Sequence, residues 1–214
     1  MPTSQIGNLP FPIPHNLAEY AAEPDNDHWR EWIARLPAFV AELTERWSLQ
    51  LGAPYEPGGM CSWVAPARNA DGDELVLKLG VRHSEAEHEI DGLRFWNGDG
   101  AARLYESFVT DDTCVLLLER CVPGNSLKQT LPEEAQDEVI ARLLRRLWKE
   151  PPPGHPFRPL QSMCDEWGAG LAEDAERYPD KMDAGLVRAG LEIFRAYAGT
   201  ADRHVLLCTD LHGD

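Results

Sequence analysis

An apolar run near the end of the sequence leads directly to an acidic residue. Residues 205–208 are predicted to form a short strand, and Asp210 follows this run after a single threonine. A carboxylate held at the end of a strand can accept the proton of a substrate hydroxyl during phosphoryl transfer. An isolated Asp-Leu-His triplet is more often an ordinary turn, so this hypothesis depends on other residues of the chain.

A lysine in a second β-prone run has candidate partners nearby. Lys78 lies in the middle of this run, and the helix predicted after it offers Glu85, Glu87 and Glu89. A lysine in a strand usually faces solvent. A strand lysine paired with a helix glutamate is instead how kinases hold an ammonium group near the α- and β-phosphates of ATP. We predict Glu89 as the partner, since it lies one helical turn before the apolar Leu93.

A glycine pair lies in the predicted loop between the first two strands of the same sheet. Gly58 and Gly59 would allow backbone N–H groups to approach phosphate closely, and Ser62 would add a hydroxyl donor. The pattern is neither G-x-G-x-x-G nor a Walker P-loop, and an ordinary turn is the alternative.

A third segment follows an apolar strand. Glu119, Arg120 and Cys121 come after three leucines and before a Pro-Gly turn. This is the arrangement of a kinase hinge, where backbone groups bind the edge of adenine. A core strand followed by an ordinary loop explains the segment equally well.

The elements that would position these residues are predicted from periodicity and turn chemistry. Asn, Asp and Gly residues separate the members of two hairpins, a helix lies between the hairpins, and Ser84 with Glu87 has the pattern of a capping box. The predicted strands are residues 62–68, 74–79, 103–110 and 114–119, with a further strand near residues 47–51, and the helix is 84–96. A small antiparallel sheet carrying one helix is an α+β pattern.

Helices dominate the rest of the chain. We expect an irregular arm to residue 26, then a helix from Asp27 that Pro37 breaks or restarts. After residue 124, Thr130 and Glu133 suggest a capped helix start. Two more helices are predicted over residues 160–177 and 182–199. The predicted domains are an arm at 1–26, a nucleotide-binding lobe at 27–120 and a partial helical lobe at 121–214 that ends in the catalytic loop.

In this order, the motifs resemble the aminoglycoside 6-phosphotransferase and hydroxyurea-kinase group of the aminoglycoside phosphotransferase superfamily. The matching stretches include the Pro-Gly-Gly segment, Val-Leu-Lys around Lys78, the glutamate-rich helix, the Leu-Leu-Glu-Arg segment and the terminal Asp-Leu-His. The resemblance implies a protein-kinase-like, two-lobed α+β fold, with ATP and Mg²⁺ as cofactors. It also implies transfer of the γ-phosphoryl group to a hydroxyl of a small acceptor.

The resemblance assigns roles by position. Lys78 and Glu89 would hold the phosphates, the backbone of residues 119–121 would hold adenine, and Asp210 would be the base. A literal His-Gly-Asp ends the sequence, so Asp214 is the rival base. The asparagine and aspartate that bind metal in the family would follow Asp214. We therefore expect no metal ligands in this sequence and little or no catalysis by the chain as it stands.

Composition limits the partners. A net charge of −16 disfavours a nucleic-acid partner and suits a cationic acceptor, although acidic surfaces commonly serve solubility alone. No apolar run is long enough for a membrane span, and the first 14 residues do not resemble a secretory signal. Five cysteines without a C-x-x-C pair favour a reducing cytoplasm over disulfides or zinc.

Three functional hypotheses remain open from the sequence. The first is an ATP-dependent kinase of a small hydroxylated compound, with an aminoglycoside such as streptomycin as the leading acceptor. The second is a non-catalytic nucleotide-binding remnant. The third keeps the same fold but uses another small alcohol or amine as the acceptor.

Overall fold

The computed structural model describes residues 12–209 and residue 211. Internal contacts divide the chain into two compact units: the described residues up to Leu147 belong to the first, and Trp148–Thr209 form the second. The predicted division into a sheet-rich, nucleotide-binding lobe to residue 120 and a helical lobe after it stays a prediction. Within the described part, no helix is both long enough and apolar enough to cross a membrane.

The first unit combines one five-stranded sheet with helices, which confirms the α+β class. Its strands are β1 (Gln50–Leu51), β2 (Ser62–Arg68), β3 (Glu74–Val81), β4 (Leu104–Val109) and β5 (Thr113–Glu119). Its helices are α1 (His15–Ala22), α2 (Asp27–Arg46), α3 (Glu89–Trp96), α4 (Leu127–Thr130) and α5 (Glu133–Leu147), with a 3₁₀ turn at Ser84–Ala86.

All neighbouring strands of the sheet are antiparallel, in the order β1-β2-β3-β5-β4. Both predicted hairpins are confirmed. In the first, the Asn69 side-chain oxygen accepts hydrogen bonds from the backbone N–H groups of Asp71 (3.1 Å) and Asp73 (2.9 Å), which closes the turn. The strand order leaves β3 between β2 and β5, so Lys78 lies at the centre of the sheet.

The main core lies between one face of this sheet and the first two helices. Strands β2 and β3 alternate buried and partly exposed residues, as expected for a sheet with one covered face. The α2 residues buried in this core lie along one face of the helix: Trp32, Ile33, Leu36, Val40 and Leu43.

Helix α2 corrects the expectation for Pro37, because it continues through this residue without a break. Proline inside a helix costs about 3 kcal/mol. Each fully buried leucine-sized side chain contributes about 1.5–3 kcal/mol. Leu36 and Leu43 on either side of the proline are fully buried, so the packed face outweighs the lost backbone hydrogen bond.

The predicted irregular arm contains a helix in its described part. α1 runs from His15 to Ala22, and Leu17 and Ala21, four residues apart, are fully buried in the main core. Pro14, which directly precedes the helix, is also fully buried. Local sequence favours loop here, and the helix is stabilised by packing against the rest of the unit.

The region predicted as one helix over residues 84–96 is divided. A 3₁₀ turn covers Ser84–Ala86, and α3 begins at Glu89 after a non-helical His88. The side chains of His83 and His88, which directly precede the two elements, cap neither of them. The capping box predicted from Thr130 is wrong, since Thr130 is the last residue of α4 and its hydroxyl donates to the Ser126 carbonyl, 3.0 Å away.

The second unit contains α6 (Leu160–Arg177), α7 (Ala184–Ala196) and a final 3₁₀ turn, Tyr197–Thr200. α6 and α7 pack closely at two glycines. A Cβ on Gly168 would contact Phe194 at 3.7 Å, and one on Gly190 would meet Leu171 at 3.2 Å. The strand predicted for residues 205–208 is not formed. Leu206 N–H instead donates a single bond to the Lys149 carbonyl, 2.9 Å away, so no ladder exists to define a strand.

Candidate functional site

The centre of the sheet carries an ion pair between Lys78 and Glu89. Neighbouring side chains alternate between the two faces of a strand, and Leu77 and Leu79 are fully buried in the main core. Lys78 therefore lies on the opposite face. Its partner across β5 is Leu116, which clusters with Ile90 at the start of α3, so α3 covers this face of the sheet.

The geometry of the pair is close. Lys78 Nζ donates to Glu89 Oε1 at 2.5 Å, and the two side chains retain 25% and 30% of their exposure. The break at His88 places Glu89 in the first turn of α3, where the helix dipole favours a carboxylate. Glu87, an alternative partner at the sequence level, is exposed.

A buried cysteine lies on the same face of the sheet and bears no charge at neutral pH. Burial raises the pKa of the Cys114 thiol, and the nearby Glu89 carboxylate raises it further. The cations of Arg82 and Lys78 oppose this shift without reversing it. Cys114 therefore does not compete with Glu89 for the lysine.

The segment Tyr55–Cys61, here called the glycine loop, connects β1 to β2. Gly58 has φ +72°, a left-handed conformation in which other residues are strained. Gly59 lies beside Ser62, since a Cβ built on Gly59 would be 3.5 Å from the serine Oγ. The structure thus brings together all three residues predicted for this loop.

The register of the sheet relates the glycine loop to the lysine. Ser62 pairs with Gly80 and Val64 pairs with Lys78, so Ser62 and Lys78 lie on the same face of the sheet. They are displaced by two positions along neighbouring strands, which corresponds to roughly 7 Å. One region of this face is therefore bordered by the Ser62 hydroxyl, the glycine pair of the loop and the Lys78 ammonium.

The predicted hinge borders a concave surface. A cavity of about 250 Å³ is lined by residues from the glycine loop, from β3, from the end of β5 and from the chain that follows it, namely Tyr55, Val76, Leu118, Glu119, Arg120, Cys121, Pro123 and Gly124. Val76 precedes Lys78 by two residues and lies on the same face of β3. The cavity therefore adjoins the Lys78–Glu89 pair.

Some polar groups of the predicted hinge already make hydrogen bonds within the protein, and others do not. Glu119 exchanges two hydrogen bonds with Arg103: its N–H donates to the Arg103 carbonyl (2.8 Å), and its carboxylate accepts from the Arg103 N–H (3.0 Å). Arg120 is tied to Glu74 through its N–H (3.4 Å) and its guanidinium (2.5 Å). Within the described part of the chain, the Cys121 N–H has no hydrogen-bond acceptor.

The two candidates for the catalytic base fall on residues that the structure does not describe. Asp210 and its rival Asp214 lie outside the described residues. Among the residues that are described, no group of three or more His, Cys, Asp or Glu side chains is arranged to hold a metal ion.

Sequence reasoning missed part of the cavity wall. Val76 could have been found, because alternation from Lys78 places it on the same face. Leu118 could have been found in the same way, by pairing β5 with β3. No sequence pattern signals Tyr55, which reaches the cavity because its N–H donates to the Val64 carbonyl at 2.9 Å.

Comparison with known proteins agrees with this geometry. A family model for aminoglycoside/hydroxyurea antibiotic resistance kinases matches residues 46–214. A streptomycin 6-kinase from Streptomyces glaucescens is 36% identical over 173 residues, which are 81% of this chain and 53% of that protein. A hydroxyurea phosphotransferase from Kitasatospora aureofaciens is 36% identical over 203 residues, which are 94% of this chain and 58% of that protein. The chain thus spans about half the length of the curated relatives it matches.

Proposed function

The chain belongs to the aminoglycoside/hydroxyurea antibiotic resistance kinase family, and we propose that it acts in ATP-dependent transfer of a phosphoryl group to a hydroxyl of a small molecule. The observation that carries this proposal is the ion pair of Lys78 and Glu89 at 2.5 Å. In protein kinases the equivalent pair must be in place for catalysis. The two-lobed, kinase-like arrangement is part of the same proposal.

The residues present fit ATP. An ammonium group has three donors, so Lys78 can bind Glu89 and still donate to phosphate oxygens. Gly58, Gly59 and Ser62 supply backbone and hydroxyl donors on the same face of the sheet. Val76 and Leu118 offer apolar walls to the flat face of adenine.

Fewer backbone donors are available for adenine in residues 119–121 than the sequence predicted. The N–H groups of Glu119 and Arg120 already donate to the Arg103 and Glu74 carbonyls. We therefore assign the adenine-binding donor to the Cys121 N–H. The side chains of Glu119 and Arg120 hold the end of β5 and bind no nucleotide in this proposal.

When bound, ATP with Mg²⁺ supplies the γ-phosphoryl group and partly neutralises its charge. The protein positions the nucleotide and stabilises its phosphates through Lys78 and the glycine loop. Asp210 is proposed to accept the proton of the acceptor hydroxyl, with Asp214 as the alternative base.

An aminoglycoside such as streptomycin is the proposed acceptor. Relatives named for streptomycin and for hydroxyurea both match at 36% identity, so the choice between them needs another argument. The net charge of −16 favours a cationic acceptor, because the field of the protein would raise the local concentration of such a molecule.

The nucleotide part of the proposal is tested by calorimetric titration of the chain with ATP and Mg²⁺. Lys78→Met should weaken ATP binding by at least tenfold, since a hydrogen bond to a charged group contributes about 1.5–3 kcal/mol. Lys181→Met is the matched control, because Lys181 is exposed and its ammonium lies over the Tyr178 ring. Equal affinities for ATP in all three proteins would refute the proposed phosphate site.

The transfer reaction is tested on the protein as its native cell produces it, with ATP, Mg²⁺ and a panel of aminoglycosides, hydroxyurea, small alcohols and small amines. Mass spectrometry of the acceptor should show the added phosphoryl group, and Asp210→Ala should abolish it while Asp214→Ala retains it. The reverse pattern would identify Asp214 as the base. ATP binding without phosphorylation of any acceptor would support the non-catalytic hypothesis instead.

A further inference from the structure

We propose that Asn16, in the first turn of α1, is a positioning residue that orients the glycine loop toward nucleotide phosphates. This inference rests on the proposed function and assigns the N-terminal segment a role in it. Asn16 lies 42 residues before Gly58 in the sequence. It precedes residue 46, where the match to the family model begins.

Three hydrogen bonds connect two consecutive residues of α1 to three consecutive residues of the glycine loop. The Asn16 side chain donates from Nδ2 to the Gly58 carbonyl at 2.8 Å, and its backbone N–H donates to the Pro57 carbonyl at 3.0 Å. The neighbouring His15 N–H donates to the Glu56 carboxylate at 3.0 Å. In all three bonds α1 donates and the glycine loop accepts.

The donors are themselves anchored. Pro14 and Leu17, which flank them in the sequence, are fully buried. A Cβ on Gly58 would lie 2.5 Å from Pro14 Cβ, so the loop backbone packs directly on this proline. From α2, Trp29 Nε1 donates to the Met60 carbonyl at 3.2 Å. The loop cannot shift without losing contacts to elements that are fixed in the core.

The direction of these bonds determines where the loop donors point. In a planar trans peptide, the C=O of one residue and the N–H of the next point in opposite directions. Binding of the Pro57 and Gly58 carbonyls by Asn16 therefore turns the N–H groups of Gly58 and Gly59 away from α1. Successive N–H groups that point the same way form an anion-binding concavity. The carbonyl oxygens, which would repel phosphate, are occupied on the other side.

The test compares ATP with adenosine, which lacks phosphates, by calorimetric titration of the full chain. Asn16→Ala removes the bond to Gly58, and Asn16→Asp keeps the shape but replaces the donor with a carboxylate. Asn26→Ala is the matched control, because Asn26 Nδ2 makes a comparable bond to the Tyr20 carbonyl (2.7 Å) at the far end of α1. Amide hydrogen exchange at Gly58 and Gly59 is measured without nucleotide in the same four proteins.

We expect both Asn16 variants to weaken ATP binding by about threefold to tenfold, the range for loss of one such hydrogen bond. Adenosine affinity should stay unchanged, and exchange at Gly58 and Gly59 should become faster. Asn26→Ala should match the parent protein in all three measurements. A merely structural role for Asn16 predicts equal losses for ATP and adenosine, and that result would overturn the inference.

Failure of the proposed function gives a different result. If the parent protein binds neither ATP nor adenosine, the proposed function is refuted, and the nucleotide role of Asn16 is refuted with it. Exchange at Gly58 and Gly59 then still decides whether Asn16 orients the loop. If the parent protein binds ATP and both Asn16 variants bind it equally well, the inference alone is refuted.

Discussion

Replacing Glu89 with glutamine tests whether the carboxylate acts by ordering Lys78. In the parent protein Lys78 Nζ is held at 2.5 Å from Glu89 Oε1, and about three-quarters of the lysine side chain is already removed from solvent. Glutamine keeps the shape of the side chain but removes its charge. Lys78 then regains rotamer freedom and must lose it again when phosphates bind.

Two effects of opposite sign determine the magnitude. Ordering a lysine side chain costs up to about 2 kcal/mol, which would weaken ATP binding by up to about thirtyfold. Removal of a negative charge near the phosphates strengthens binding and offsets part of this loss. Both side chains are mostly buried, so the ordering effect dominates, and we expect a net loss of about threefold to tenfold for Glu89→Gln.

The assay is calorimetric titration of Glu89→Gln, Asp91→Asn and the parent protein with ATP. Asp91→Asn removes the same charge from the same helix, but the contacts of Asp91 are to His88 at 3.7 Å and Arg94 at 4.0 Å. This control should bind ATP as tightly as the parent protein or more tightly. Tighter binding by both variants would show that charge alone matters, which would refute the ordering argument.

Two further predictions concern stability. Gly58→Ala should lower the free energy of unfolding by about 1–3 kcal/mol, since its φ of +72° is strained for alanine and its Cβ would lie 2.5 Å from a buried proline. The control Gly72→Ala, at φ +89° with no atom within 4 Å of its Cβ, should lower the free energy of unfolding by less. Equal losses for the two variants in urea unfolding would contradict the close packing of Gly58 on Pro14. Asp112 is partly buried, which would raise its pKa, but the Thr113 hydroxyl and the Arg35 guanidinium lower the pKa of this carboxyl below its usual 3.8. The ionised Asp112 carboxylate therefore stabilises the folded state fully above the unfolded-state pKa of 3.8. This stabilisation is lost as the pH falls through the lower folded-state pKa. The stability deficit of Asp112→Asn should be constant from about pH 5 to pH 7 and shrink in more acidic solution; a deficit that grew on acidification would contradict this.

The hairpins could be predicted from the sequence because their signals are local. Alternating burial and the turn from Asn69 to Asp73 define β2 and β3 without reference to distant residues. The same alternation, with one helix downstream, was enough to propose the pairing of Lys78 with Glu89. The nucleotide-binding roles of these residues stay predictions until binding is measured.

The sequence-based predictions of secondary structure are wrong where contacts between distant residues decide the structure. α1 forms because Leu17 and Ala21 are buried in a core built mostly from later residues. α2 continues through Pro37 because its packed face outweighs the cost of the proline. Residues 205–208 are as β-prone as a strand, but a strand also needs a partner, and within the described part of the chain only Leu206 makes a backbone bond to another segment. Local periodicity carries no information on any of these contacts.

The segment predicted as the hinge, residues 119–121, is fixed in place by its charged side chains. Glu74 binds Arg120 at 2.5 Å and also pairs with Arg68, so the acid at the start of β3 joins the end of β5 to the end of β2. Glu119 closes the other side of β5 through Arg103. The charged side chains of Glu119 and Arg120 therefore fix the backbone of this segment, and the cavity that these residues help to line also has apolar walls at Val76 and Leu118. In the proposed function, this surface binds a flat, neutral ring by shape and one edge hydrogen bond, and Lys78 and the glycine loop bind the phosphates. This separation is what a ligand with an uncharged base at one end and phosphates at the other requires.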